Sequence, residues 1–146
     1  GLWLEAQRRS ILWSYVLSAW FYDAYFKKAS QIRTLIIEDF EKVFKEVDAL
    51  ITPVSPSVAW KMWEKIDDCL KLYLADAYTI PASLAWLPGI SVPCWFAKSE
   101  DDAEETMPVW IQILTPRLEE QKLFEIANTY EQNTSWKDQM TPKWFE

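Results

Sequence analysis

The chain has no histidine, two cysteines and two glycines in 146 residues. The lack of histidine rules out any Cys/His metal site by count. Cys69 and Cys94 are too few for a disulfide framework, so the simpler expectation is a reducing, cytoplasmic setting. Basic residues are also short, 15 against 22 acidic, for a net charge of −7 and a pI near 4.7. Direct binding of nucleic acid needs a basic stripe, and this balance argues against one. No apolar run reaches the roughly 18 residues of a membrane span, so no membrane contact is expected. The opening GLWLEAQRRS has neither Met nor a signal-peptide pattern and reads as the middle of a longer chain. The glycine deficit is the sharpest of these, since ordinary usage near 7% would supply roughly ten.

What is abundant is tryptophan, with ten copies. Half of the chain is hydrophobic and 16% aromatic, enough to bury a core in at most one domain. Periodicity predicts a helix over Glu5–Ala19, with Ile11, Leu12, Tyr15, Val16 and Ala19 on its apolar side. A longer helix is predicted over Tyr22–Val47. Its stripe is Tyr25, Ala29, Ile32, Ile36, Phe40, Val43 and Val47, with charged residues on the other side. At 1.5 Å per residue it would span about 39 Å, long enough to brace a larger body. Short strands are expected at Asp48–Thr52, Ile90–Phe96 and Pro108–Leu114, and helical turns at Leu70–Ala77 and Pro81–Leu84. A helix over Leu118–Tyr130 should turn Leu123, Ala127 and Tyr130 inward, and residues 135–146 read as a polar tail beyond a domain of 1–134. Helices alternating with short buried strands make this α/β, with a mixed sheet flanked by helices.

The tryptophans fall where a chain usually turns or packs closely. Trp86 lies between an alanine and Leu-Pro-Gly, Trp95 closes ISVPCW, and Trp63 interrupts KMWEKIDD. With glycine at Trp86 and Trp95, residues 84–95 become Leu-Ala-Gly-Leu-Pro-Gly-Ile-Ser-Val-Pro-Cys-Gly. That run is similar to the closing segment of the amidase signature family. EAQRRSILWSYVLSAWFYDAYFKKASQIRTLI, DALITPVSPS and EKIDDCLKLYLADAYTIPASLAWLPG likewise resemble the amidase (A) subunits of the tRNA-dependent amidotransferases in that family. The resemblance runs from Gly1 to about Tyr130 and covers the C-terminal part of a family member. It implies an amidase-signature fold and a complex that takes ammonia from glutamine to amidate Glu-tRNA(Gln) or Asp-tRNA(Asn). In that complex subunits B and C are partners, tRNA is reached through the partner subunit, and ATP and Mg²⁺ serve that partner. A stand-alone amide hydrolase and a non-catalytic assembly fragment remain alternatives.

Two residues are candidates for reading the substrate. Arg8 and Arg9 are neighbours on a predicted helix, pointing about 100° apart, so one can face inward while the other stays wet; otherwise both are surface arginines. A guanidinium offers a fixed fork that suits a carboxylate. Asp76, in LYLADAYTIPA, is an acid among apolar neighbours and could meet an ammonium group; otherwise it is a helix cap or a loop residue. The resemblance implies that Arg9 holds the α-carboxylate of the glutamine donor and Asp76 its amino group. Burial of both, about one amino acid apart, would read both ends.

Asp67 and Asp68 read as a turn or cap rather than an acid–base pair, Cys94 as a packed strand residue, and Glu100–Glu105 as a solvated loop. Cys69 stands where relatives carry proline, and nothing in the sequence accounts for it. The family's serine nucleophile, second serine and lysine base lie in a Gly-Ser-rich segment that this chain does not contain. No catalytic residue is therefore assigned in it.

Trp3, Trp13, Trp20, Trp63, Trp86, Trp95 and Trp110 occupy the family's glycine positions, whereas Trp60, Trp136 and Trp144 do not. One origin is a UGA codon that the source cell decodes as glycine; the other is true tryptophan. The codons of the gene separate the two.

Overall fold

The computed structural model describes residues 2–16, 25–60, 73–98, 106–136 and 139. Its elements in chain order are α1 (Leu2–Val16), α2 (Lys27–Val43), β1 (Leu50–Pro53), α3 (Thr79–Leu84), β2 (Gly89–Lys98), β3 (Thr106–Leu114) and α4 (Glu120–Gln132). Helices with a sheet confirm the α/β class. The three strands pair antiparallel in the order β1-β3-β2, so the described part of the sheet contains no parallel pair.

β3 lies in the centre because its C-terminal end is apolar enough to be covered on both faces. Gln112, Ile113 and Leu114 are consecutive and all buried, and successive strand residues face opposite sides. In β2 the register passes from Pro93 opposite Trp110 to Trp95 opposite Val109. Cys94 is thus the extra residue of a β-bulge. Gly89 faces Leu114, and a Cβ there would come within 2.9 Å of Leu114 Cδ2.

α4 supplies the cover on one face. Leu123 and Ala127 are buried against Val92 and Ile113, with Ile126 and Tyr130 half-buried beside them. The helix begins at Glu120, two residues after the expected Leu118. Leu118 has φ 66° and is 90% exposed, a left-handed residue that cannot belong to a right-handed helix. Thr115, fully buried, closes the approach: its N–H donates to Pro88 O (3.2 Å) and its Oγ1 to Glu119 O (3.2 Å).

The long N-terminal helices lack such cover. α2 is shorter than its periodicity suggests, since Phe44 to Glu46 form turns, and it has no buried residue. Its apolar stripe is present, but Ile32 and Val43 are exposed. On α1, Ile11, Leu12 and Tyr15 are exposed as well, contrary to the inward side expected of them. Among the described residues, α2 is tied to the rest by Arg33 Nε, which donates to Leu84 O (2.8 Å), and by Glu41, which pairs with Arg117 of the β3–α4 loop. Lys122 of α4 reaches Asp48 at 3.2 Å.

The expected helix over Leu70–Ala77 also changes form. Residues 70–72 lie outside the described set, and 75–78 form a turn. Asp76 N–H donates to Tyr73 O and Ala77 N–H to Leu74 O, both i to i−3, and α3 then restarts at Thr79. Asp67, Asp68, Cys69, residues 100–105, Trp20 and Trp63, and the side chain of Trp3, lie outside the described set. Trp136, in the expected tail, packs edge-on to Trp95 with ring centroids 5.0 Å apart.

Trp86 explains why its position suits glycine. Leu87 N–H donates to Ala82 O (3.1 Å) and Trp86 N–H to Ser83 O (3.2 Å). These two bonds form a Schellman motif whose left-handed residue, ordinarily glycine, is Trp86 at φ 56°. The indole is 64% exposed and lies under the Arg33 guanidinium, 3.8 Å from the ring centroid. The left-handed backbone costs a residue with a Cβ about 1–2 kcal/mol, and an exposed cation–π contact returns about 0.5–1 kcal/mol. Trp86→Gly should therefore stabilise the chain by about 1 kcal/mol, raising the Tm by roughly 3–5 °C for a chain of this size. An unchanged or lower Tm in thermal unfolding would show that the turn carries no such strain.

Candidate substrate-reading site

The best-organised polar feature is the junction between the sheet and the turn ahead of α3. The carbonyl of Asp76 accepts from Thr79 N–H (3.2 Å) and Ile80 N–H (3.0 Å), and Thr79 Oγ1 donates to it at 3.3 Å. The N-cap of α3 is Tyr78, with no side-chain cap bond, so Asp76 is not that helix's cap. Its backbone is held while the residue itself is exposed.

Beneath this turn lies Gln112. Its carboxamide nitrogen donates one proton to Thr52 Oγ1 on β1 and the other to Tyr78 O, each at 2.8 Å. The residue is 6% exposed. Sequence reasoning missed it, because one glutamine between Ile111 and Ile113 reads as the solvent side of an alternating strand. The missing signal was that both faces of this strand end are covered.

Arg8 and Arg9 both lie on α1 and both are exposed, as in the surface reading of the pair. Arg9 and Asp76 stand on separate elements at the surface, and the burial expected of them is absent. The apolar side of α1 that would draw Arg9 inward is itself uncovered.

Cys94 is the packed strand residue expected. Its Sγ–H donates to Val109 O at 3.4 Å, and burial pushes the thiol above its usual range, the reverse of what a nucleophile needs. Burial, with Cys94 adding to it, also raises the Tyr130 hydroxyl. Among the described residues no group of three or more His, Cys, Asp or Glu side chains could hold a metal ion, and no helix is long and apolar enough to cross a membrane.

The Amidase family model matches residues 2–124. The chain belongs to the Amidase family. It is 46% identical over 142 residues to the A subunit of Glutamyl-tRNA(Gln) amidotransferase from Rippkaea orientalis, covering 97% of this chain and 28% of that protein. The corresponding protein of Thermodesulfovibrio yellowstonii is 47% identical over 136 residues, covering 93% and 27%. Among solved structures, the A subunit of Glutamyl-tRNA(Gln) amidotransferase from Thermotoga maritima superimposes with a TM-score of 0.67 at 41% identity. That match covers 92% of this chain and 28% of the other. The chain thus spans a little over a quarter of the length of these amidase relatives.

Proposed function

We propose that this chain is the C-terminal part of the amidase subunit of a tRNA-dependent amidotransferase, and that it carries the residues that read glutamine. The observation that carries this reading is identity of 46% over 97% of the chain to a subunit of that name. Arg9 takes the α-carboxylate of glutamine through its planar fork, and Asp76 takes the ammonium group. The serine nucleophile, second serine and lysine of the amidase signature come from chain outside these 146 residues. There the serine oxygen attacks the carboxamide carbon, and the carbon–nitrogen bond breaks to release ammonia. Water then frees glutamate from the acyl-serine. Ammonia passes to a partner subunit that holds Glu-tRNA(Gln) or Asp-tRNA(Asn), within a cytoplasmic complex that also contains subunits B and C. ATP and Mg²⁺ serve that partner, and no step of this chain runs through them. The acidic balance of the chain fits contact with tRNA through the partner rather than directly.

The test is a chimera. The chain replaces the matching quarter of the Thermotoga maritima protein in its assembled complex, and release of glutamate from glutamine is measured. Turnover in the chimera and none in the isolated chain is expected. A folded, inactive chimera, or turnover by the isolated chain, would overturn the reading.

A further inference from the structure

We propose that Gln112 is a positioning residue for the substrate-reading turn: its carboxamide fixes, from inside the sheet, the segment that presents Asp76. This inference rests on the reading of Asp76 given above. Three observations support it. Gln112 is buried in the central strand, where an amide is tolerated only if it is bonded. Both protons of its nitrogen are used, one on Thr52 of β1 and one on the Tyr78 carbonyl. Tyr78 lies two residues after Asp76, inside the turn closed by the bonds from Thr79 and Ile80 to the Asp76 carbonyl. The turn is therefore closed on itself at the Asp76 carbonyl and held to the sheet, within that span, at the Tyr78 carbonyl. That hold on the sheet depends on a single side chain.

The chemistry requires a carboxamide here. Glutamate has no proton to give the Tyr78 carbonyl, and methionine fills the space without donating. Either leaves a carbonyl that has lost its partner and a turn free to move relative to β1 and β3. Movement of the turn weakens the grip on the ammonium group. It leaves untouched the acyl chemistry performed by residues elsewhere.

The experiment uses the full-length amidase subunit in its complex and compares Gln112→Met, Asp76→Ala, the double variant and Thr52→Val. Asp76→Ala should raise the KM for glutamine about tenfold or more, and Gln112→Met about three- to tenfold, with kcat at saturating glutamine within about twofold of the parent. The double variant should be no worse than Asp76→Ala alone, because Gln112 acts through Asp76. Thr52→Val keeps the Tyr78 bond but leaves the other amide proton of Gln112 without its partner, and should raise KM less than Gln112→Met does. A raised KM for Asp76→Ala beside an unchanged KM for Gln112→Met, or effects that multiply in the double variant, would overturn the positioning role. An unchanged KM for Asp76→Ala would instead remove the reading of Asp76, and the role of Gln112 with it. Should Gln112→Met fail to assemble, hydrogen exchange in Gln112→Asn decides the matter. The shorter amide cannot span both partners, so the Thr79 and Ile80 amides should exchange faster while those of α4 do not. Unchanged exchange at Thr79 and Ile80 would reject the proposal.

Discussion

Arg9→Ala in the assembled amidase subunit should raise the KM for glutamine by about 100-fold with little change in kcat. Hydrogen bonds to a charged partner are worth about 1.5–3 kcal/mol each, and a guanidinium gives a carboxylate two of them. Truncating one side of such a pair typically costs about 2–5 kcal/mol, since the other charge is left without its partner. The α-carboxylate is remote from the carboxamide that reacts. Losing its contact therefore removes binding common to the ground and transition states, which appears in KM rather than kcat. Arg9→Lys keeps the charge but not the fork and should fall between. The parent enzyme should discriminate strongly against a glutamine analogue without the α-carboxylate, and Arg9→Ala hardly at all. Arg8→Ala is the control, one residue away on α1 and equally exposed. Equal losses in Arg8→Ala and Arg9→Ala would mean that the pair supplies only general positive charge, and the assignment of Arg9 would fail.

How much of this was legible in the sequence differs from element to element. α4 was legible because Leu123, Ala127 and Tyr130 repeat at helical spacing and one face of the sheet needs a cover, which the packing against Val92 and Ile113 confirms. Its first turn was not, because no side chain advertises that Leu118 takes a left-handed backbone. The strands were found from their Val and Ile content, short by one to two residues at several ends, where pairing with β3 extends them. The stripe on α2 was correctly seen, but a stripe says only that a helix wants a partner, not that the same 146 residues contain one. The turn at 75–78 was read as helix because LYLADAYT holds no glycine or proline to break it. What breaks it is a set of i to i−3 bonds that close around Asp76. Of the site itself, Arg9 and Asp76 came from resemblance rather than from residue chemistry. Gln112 came from neither, since its burial depends on the far side of the sheet being covered. Trp86 is the converse case: its oddity was visible in the sequence, and the Schellman turn supplies the physical reason.

The core offers a prediction that needs no functional reading at all. Ile51, Ile113 and Ile90 form one row across the sheet, with Ile113 in the centre paired to both neighbours. Three identical side chains on one face thus differ mainly in cover. Ile113 is 1% exposed beneath α4, Ile90 is half-buried, and Ile51 on the edge strand is 61% exposed. Truncating a buried isoleucine to alanine loses transfer free energy and leaves a cavity, together about 2–5 kcal/mol. A mostly exposed one loses little of either and should stay within about 0.5 kcal/mol. Ile113→Ala should therefore be the most damaging of the three, Ile90→Ala intermediate and Ile51→Ala nearly silent, read as urea midpoints at constant slope. Against a total stability of roughly 5–15 kcal/mol, the central substitution alone should remove a sizeable share of the margin, and all of it at the low end of that range. The alternative is that β-propensity along the row, equal at all three sites by composition, governs stability. The three variants would then lose similar amounts, and the cover provided by α4 would not be what holds the sheet. Leu123→Ala decides between them from the other side. It removes α4's central contact without touching any strand, and it should destabilise by about as much as Ile113→Ala. Because Leu123 and Ile113 are in one cluster, the double variant should cost less than the two losses added together.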